Sequence, residues 1–230
     1  MFEDSLTYLK DGDDSVRTIL VGGLLSVLGF LVIPAVLVQG YVLRVLGTVS
    51  EGDDEPPVFD DWGTLAVDGV KALVVAVVYA LVPAVLAVVF VGGGVAIADS
   101  APFVGALAAL VGAAVVLLAS VAVFYAAPAA LVRLAQSGRV GAAFEFDALR
   151  PVVVRREYAT GWLLALGVLL AAGLVASALA AVPVLGWLAA FFVAFYAQVT
   201  AAYLYASSYA EANDRRVQRE SDVDEGSPVV

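Results

Sequence analysis

Carboxylates between Glu51 and Asp61 form the densest concentration of reactive side chains in this 230-residue sequence. Glu51, Asp53, Asp54, Glu55, Asp60 and Asp61 crowd the stretch SEGDDEPPVFDDW. Hard oxygen ligands bind calcium or magnesium when they alternate around a tight loop. That alternation is missing here and Pro56 and Pro57 interrupt the run, so a solvated acidic loop is the simpler reading. Ser207 and Ser208 carry hydroxyls, but a serine nucleophile needs an adjacent base and the chain has no histidine. Cysteine is also absent, which removes disulfides, thiolate metal sites and thiol nucleophiles together. Gly92, Gly93 and Gly94 are not followed by the Lys-Ser/Thr of a phosphate loop. No catalytic, cofactor-binding or metal-ligating residue is therefore assigned, and the balance leans against an enzyme. A membrane enzyme would need carboxylates and an arginine to converge, for instance Asp60, Asp147 and Arg150.

Two further sets of residues are candidates for binding rather than catalysis. Gln39, Tyr41, Tyr79 and Gln198 interrupt long apolar runs and would line a polar path if they faced one another. Hydrogen bonding between helices is the commoner use of such groups. No ionisable residue falls at the middle of these runs, which counts against ion-coupled transport. The second set is aromatic and acidic: Phe59, Asp60, Asp61 and Trp62, then Phe144, Phe146 and Asp147. Phe59, Trp62 and Leu65 recur every three residues, as do Phe146 and Leu149. That spacing predicts short helices lying at the membrane interface with carboxylates toward water. A docking surface for a cytoplasmic partner is the alternative.

The elements that position these residues are membrane spans. Hydrophobic residues make up 62% of the chain and the mean hydropathy is +0.96, well above a soluble domain. Five apolar runs are long enough to cross a bilayer at the helical rise: about 19–43, 72–91, 103–127, 161–181 and 185–206. Continuous segments of this length must be helices, because lipid leaves no partner for open backbone groups. The expected fold is an all-α polytopic bundle of about five spans over residues 1–210, with short interfacial amphipathic helices in the cytoplasmic loops. A charged tail without structure is expected over 211–230. Pro34 and Pro83 fall inside spans and predict kinks, static or hinge-like. Gly105 and Gly112 in the third span, with Gly161, Gly167 and Gly173 in the fourth, predict close packing between those two.

Charge sets the orientation. Arg133, Arg139, Arg150, Arg155 and Arg156 lie between the third and fourth spans, and Arg215, Arg216 and Arg219 follow the fifth. The loops GGGVAIADSAP and AVPVLG have no basic residue. The positive-inside rule then makes the C-terminus and the two longer loops cytoplasmic in the cell membrane. Five spans put the N-terminus outside; a break in the first run near Gly22, Gly23, Gly29 and Pro34 would return it to the cytoplasm. The N-terminal residues MFEDSLTYLKDGDDSVR lack the basic start and cleavage site of a signal peptide. The net charge is −10, and Lys10 and Lys71 are the only lysines. Excess acid with little lysine is what concentrated salt favours, and it excludes a nucleic-acid partner, whose phosphates need clustered cations.

An internal repeat runs through this plan. Pro34 opens PAVLV, followed by Arg44 and the Phe59–Trp62 cluster. Pro128 opens PAALV, followed by Arg133 and Phe144-Glu145-Phe146-Asp147. The units begin two spans apart and would be parallel repeats. PAVLVQGYVLRVL, then PPVFDDWGTLAVDGVKALV and Tyr79, resembles an uncharacterised family of multi-pass membrane proteins common in halophilic archaea, catalogued as domain of unknown function 4013. The likeness covers roughly residues 1–210 and is most specific at Gly40-Tyr41, Arg44, Pro57, Phe59, Trp62, Asp68 and Gly69. It implies membrane placement and archaeal origin, and carries no activity. Two functions follow: a non-enzymatic scaffold that assembles with membrane lipids, a membrane protein or its own copies, or a facilitator or channel for a small neutral or lipid-like solute.

Overall fold

The computed structural model describes residues 2–12, 14–53 and 55–226, and every regular element among them is helical. Helix α1 (Phe2–Asp11) is amphipathic. Ser5, Tyr8 and Leu9 are buried, one side of a helix by their spacing. Next comes α2 (Ser15–Val27), a turn over residues 28–31, and α3 (Val32–Ser50).

The expected single span at 19–43 is therefore two helices. Within the break, the amides of Leu28, Gly29 and Leu31 donate to the carbonyls of Leu24, Ser26 and Leu28. These bonds satisfy backbone groups that hydrocarbon would otherwise strand. Hydropathy sums side chains and is blind to such a turn. Helix α2 has 13 residues, about 20 Å of helix against a hydrocarbon core of about 30 Å. Phe30, Val32 and Ile33 at the turn are 80%, 76% and 73% exposed, an apolar tip suited to lipid. Pro34 also reads differently in place. It is the third residue of α3, where an amide has no helical partner anyway, so it opens a helix rather than kinking one.

The chain continues with α4 (Trp62–Leu86), a π-helical segment over Ala87–Gly92, and α5 (Gly93–Ala98). Pro83 lies inside α4, just before the π segment; prolines and π-bulges are the usual seats of irregularity in long helices. Then follow α6 (Pro102–Ser137), a 3-10 turn over Val140–Phe144, α7 (Phe146–Val153), α8 (Arg156–Leu179) and α9 (Leu185–Gly226). Helix α9 runs on past residue 211, where the sequence marks a charged tail; residues 227–230 lie outside the described part. Five stretches are long and apolar enough to cross a membrane: Val32–Ser50, Trp62–Ala98, Pro102–Ser137, Arg156–Leu179 and Leu185–Arg215. The protein is an all-α, multi-pass membrane bundle.

The chain forms two compact units. The first comprises residues up to Leu73 and from Ala129 onward. Its core is dense: Tyr41, Tyr158, Phe195, Leu65, Leu134 and Leu204 are all buried. Helices α8 and α9 make its most extensive pairing, and α9 also receives α1, α2, α3 and α7. A Cβ at Gly22 or Gly23 would run into the rings of Phe195 and Phe192, so α2 seats on α9 through bare backbone. Helices α3 and α4 cross equally closely: side chains at Gly40 and Gly69 would meet the carbonyls of Leu65 and Val36.

The second unit, Val74–Pro128, is a helical hairpin. Gly94, Gly105 and Gly112 close it, facing Ala109, Ala98 and Phe90. The glycines of the third span thus pack on the segment preceding it, and Gly161 packs on Ser208 of α9. Gly167 and Gly173 meet nothing. The expected clasp between the third and fourth spans is not what these glycines make, because small residues mark a close approach without naming the partner.

Candidate functional site

The charged and aromatic residues singled out by sequence gather at the ends of α3, α4, α6 and α8. Arg44, late in α3, donates to the carboxylate of Asp60 and, at 3.1 Å, to the carbonyl of Val58. This clasp ties Val58 and Asp60 to α3, with Phe59 between them turned inward. Phe59 is 5% exposed and stacks on Tyr41, with ring centroids 4.2 Å apart and planes 11° apart. Phe195 and Trp62 complete the cluster at 6.2 Å and 6.0 Å from Phe59. The Tyr41 hydroxyl is buried with no hydrogen-bond partner.

The expected interfacial helix at Phe59, Trp62 and Leu65 is therefore absent. Residues 53 and 55–61 are non-helical among those described, Phe59 and Leu65 are buried, and Trp62 is 47% exposed. Three-residue spacing told nothing once a loop held the first member. Asp61 instead starts α4. Its backbone takes the left-handed region at φ +42°, which aspartate tolerates better than most residues. Its carboxylate accepts from the Thr64 hydroxyl at 2.6 Å and the Thr64 amide at 3.3 Å, an N-terminal cap. The Thr64 hydroxyl and then the Thr64 amide hold the Asp61 carboxyl below the usual carboxylate range.

The second aromatic-acidic stretch has the same clasp in another setting. Arg133 donates to Glu145 at 2.7 Å, and Arg139 reaches the other oxygen at 3.3 Å. Arginine and acid lie 12 positions apart here and 16 in the Arg44–Asp60 pair. Phe144 is half-buried, while Phe146 and Asp147 are exposed. Helix α7 is a short amphipathic helix that buries Leu149 and Val152.

This end of the first unit also holds the N-terminus. Tyr8 donates to the carbonyl of Glu55 at 3.4 Å and packs its ring 4.8 Å from that of Tyr203. Gly12 lies against Pro56. The N-terminal helix thus lies at the same end of this unit as Glu55 and Pro56, the arrangement expected if the first run is broken. The broken first run is the physical cause.

Two of the hollows in the first unit bear on the candidate residues. A polar cleft of about 230 Å³ lies among Arg44, Thr48, Glu51, Asp68 and Lys71. Lys71 pairs with Asp68 at 3.1 Å, so the cleft brings acids and bases together in equal number. An apolar groove of about 670 Å³ runs along α8 and α9 beneath α1 and α2. Neither is lined by Gln39, Tyr41, Tyr79 or Gln198. Tyr41 is buried in the aromatic cluster, Gln39 and Gln198 are half-buried, and Tyr79 belongs to the hairpin unit. Among the described residues, no three carboxylates group as metal ligands would.

The apolar groove and the Tyr41 stacking were missed by sequence reasoning. Neither has a local signature, since Phe59 and Phe195 are joined only through the fold. Comparison with curated proteins returns no match, and neither does comparison with solved structures. A family described as a protein of unknown function, DUF4013, matches residues 25–181. That span takes in the turn, α3 to α8 and both arginine clasps, and is shorter than the likeness expected over 1–210. With most of its length matched, the chain belongs to the DUF4013 family of proteins of unknown function.

Proposed function

We propose that this protein is a non-enzymatic assembly component of the cell membrane, binding other membrane-embedded helices or further copies of itself. The hairpin unit carries this reading. Its helices are closed on each other by glycines, yet Val88, Leu110, Leu117 and Leu118 are left 64–75% exposed. Surfaces of this kind associate in lipid by packing rather than by the hydrophobic effect. The charged groups support a structural role as well: Arg44, Lys71, Arg133, Arg139 and Arg215 are each spent on an acid of the same chain.

Orientation follows the same charges. Loops 51–61 and 138–155, helix α1 and the end of α9 face the cytoplasm in this reading. The acidic, lysine-poor composition fits a cell living in concentrated salt. Affinity purification in mild detergent tests the assembly role. A stoichiometric partner, or self-association, should appear and weaken when Leu117 and Leu118 are changed to tryptophan. A chain that purifies as a lone monomer, with the variant behaving identically, removes the reading. The second reading, a facilitator for a small neutral solute, would run through Gln39, Tyr41, Tyr79 and Gln198. That none of them lines either hollow weighs against it.

A further inference from the structure

Arg44, Lys71, Arg133, Arg139 and Arg215 are held by acids of the same chain, but three arginines that lie together are not. Arg150, in the last turn of α7, and Arg155 and Arg156, where α8 begins, form no ion pair among the described residues. The turn between the helices keeps them close. The Val154 amide donates to the Arg150 carbonyl at 3.4 Å, and the Arg155 amide donates to that of Val152 at 3.0 Å. Neighbouring acids do not neutralise them. Glu145 is taken by Arg133 and Arg139, and Glu157 by Arg215, which leaves Asp147 alone against three guanidinium groups. Lys10 and Arg17 also lack an acid partner, but Asp11, Asp13 and Asp14 accompany them in sequence and make that stretch acidic.

Depth and company narrow the occupant. Helix α8 is a membrane span of 24 residues, about 36 Å of helix against a hydrocarbon core of about 30 Å in a bilayer of about 40–45 Å. Its first residue, Arg156, therefore lies at the level of the lipid headgroups. Phe146 and Val154 are 65% and 72% exposed, and Phe146 shares a face with Arg150 one helical turn away. A bare ring beside an arginine suits that boundary: the ring enters the edge of the hydrocarbon while the guanidinium forks onto phosphate oxygens. A soluble anion would have no use for the apolar pair. A zwitterionic lipid brings its own ammonium to the phosphate, so uncompensated arginines favour a lipid of net negative charge. We propose that α7 and the start of α8 form a binding site for an anionic phospholipid, with Arg150, Arg155 and Arg156 on its phosphate and Phe146 and Val154 in the adjoining acyl region. The proposal rests on α8 being a membrane span and stands apart from the assembly reading.

The test offers the full chain, in nonionic detergent, equal amounts of phosphatidylglycerol and phosphatidylcholine and reads the lipid adducts by native mass spectrometry. Phosphatidylglycerol should be retained severalfold over phosphatidylcholine. Arg150→Gln combined with Arg156→Gln removes two exposed charges that hold no acid in the fold. That variant should retain the two lipids nearly equally, with its tryptophan melting curve unchanged. Lys10→Gln combined with Arg17→Gln removes the same charge, also from exposed positions, and should leave the preference intact. Phe146→Ser should weaken retention of phosphatidylglycerol, and an excess of glycerol phosphate, a water-soluble phosphate ester, should not displace the lipid. Equal retention of both lipids by the parent protein would overturn the proposal, as would an unchanged preference in the Arg150 and Arg156 variant or a lost one in the Lys10 and Arg17 variant. Full displacement by glycerol phosphate would assign the arginines to a soluble anion, and a preference confined to dimers would assign them to a contact between copies; either result also removes it.

Discussion

The two units of this protein solve the problem of cohesion in opposite ways. The first unit has a real interior, in which Tyr41, Phe59 and Phe195 stack and distant segments exchange hydrogen bonds, as Tyr8 does with Glu55. The hairpin unit has almost none. Of its two long apolar helices, the windows that qualify as spans are only 11% and 6% buried, and backbone contact at Gly94, Gly105 and Gly112 brings them together. In water the second solution would fail, because apolar side chains would be left bare. In lipid it suffices, since contact of small residues replaces a hydrophobic core.

Phe59→Ala should have the largest effect. It empties the centre of the aromatic cluster, and loss of a buried phenylalanine costs about 3–5 kcal/mol. A strong drop in the thermal transition in detergent, followed by tryptophan fluorescence, is the expected result. A drop no larger than that of a surface substitution would show that the first unit is not held by its interior.

Gly69→Leu comes next. The obstacle is the Val36 carbonyl rather than a movable side chain, which points to the upper end of the 1–3 kcal/mol cost of overpacking, about 3 kcal/mol. Its counterpart in the hairpin, Gly105→Leu, sharpens the contrast. The three tryptophans, Trp62, Trp162 and Trp187, all lie outside the hairpin, so their fluorescence reports the first unit alone. Gly105→Leu should open the hairpin to proteolysis and hydrogen exchange while leaving the tryptophan transition in place. Equal shifts for both variants would break the distinction.

Tyr41→Phe should go the other way. Its hydroxyl is buried without a partner, and removing an unsatisfied polar group relieves a penalty of about 1–3 kcal/mol. A small rise in the melting temperature is expected; a fall would mean that the hydroxyl has a partner in the membrane.

The smallest effect belongs to Asp61. Because its carboxyl is held below the usual carboxylate range by Thr64, its contribution is complete above that range and lost as pH falls through the lowered value. Asp61→Asn should therefore melt earlier than the parent protein at neutral pH. The two should converge in acid, below the normal carboxylate range. A gap that persists there would assign the effect to geometry rather than charge.

Most of the fold was legible because bilayer thickness demands long apolar runs, and those around α4, α6, α8 and α9 are uninterrupted. The first run leaves one span and a broken pair both open, since Leu28 to Leu31 are nearly as apolar as their neighbours and the break is made by backbone hydrogen bonds. At the candidate site the sequence shows the aromatic and acidic residues but not how they are arranged. Whether Phe59 points in or out depends on Arg44 gripping Asp60 across 16 positions. The groove was invisible for the same reason: its walls come from α1, α2, α8 and α9.

That last helix has a bearing on how the protein is made. The residues that receive the N-terminal helices are Phe192, Phe195, Tyr196 and Tyr203, and the bond from Tyr196 to Leu6 spans 190 positions. Translation delivers them last, at about 5–20 residues per second. For roughly 8–33 seconds, then, α1 and α2 precede their docking surface. Helix α2 is too short to span the bilayer by itself. It must wait at the membrane surface, or be held there by the insertion machinery, until α9 arrives and closes the ends of the chain together.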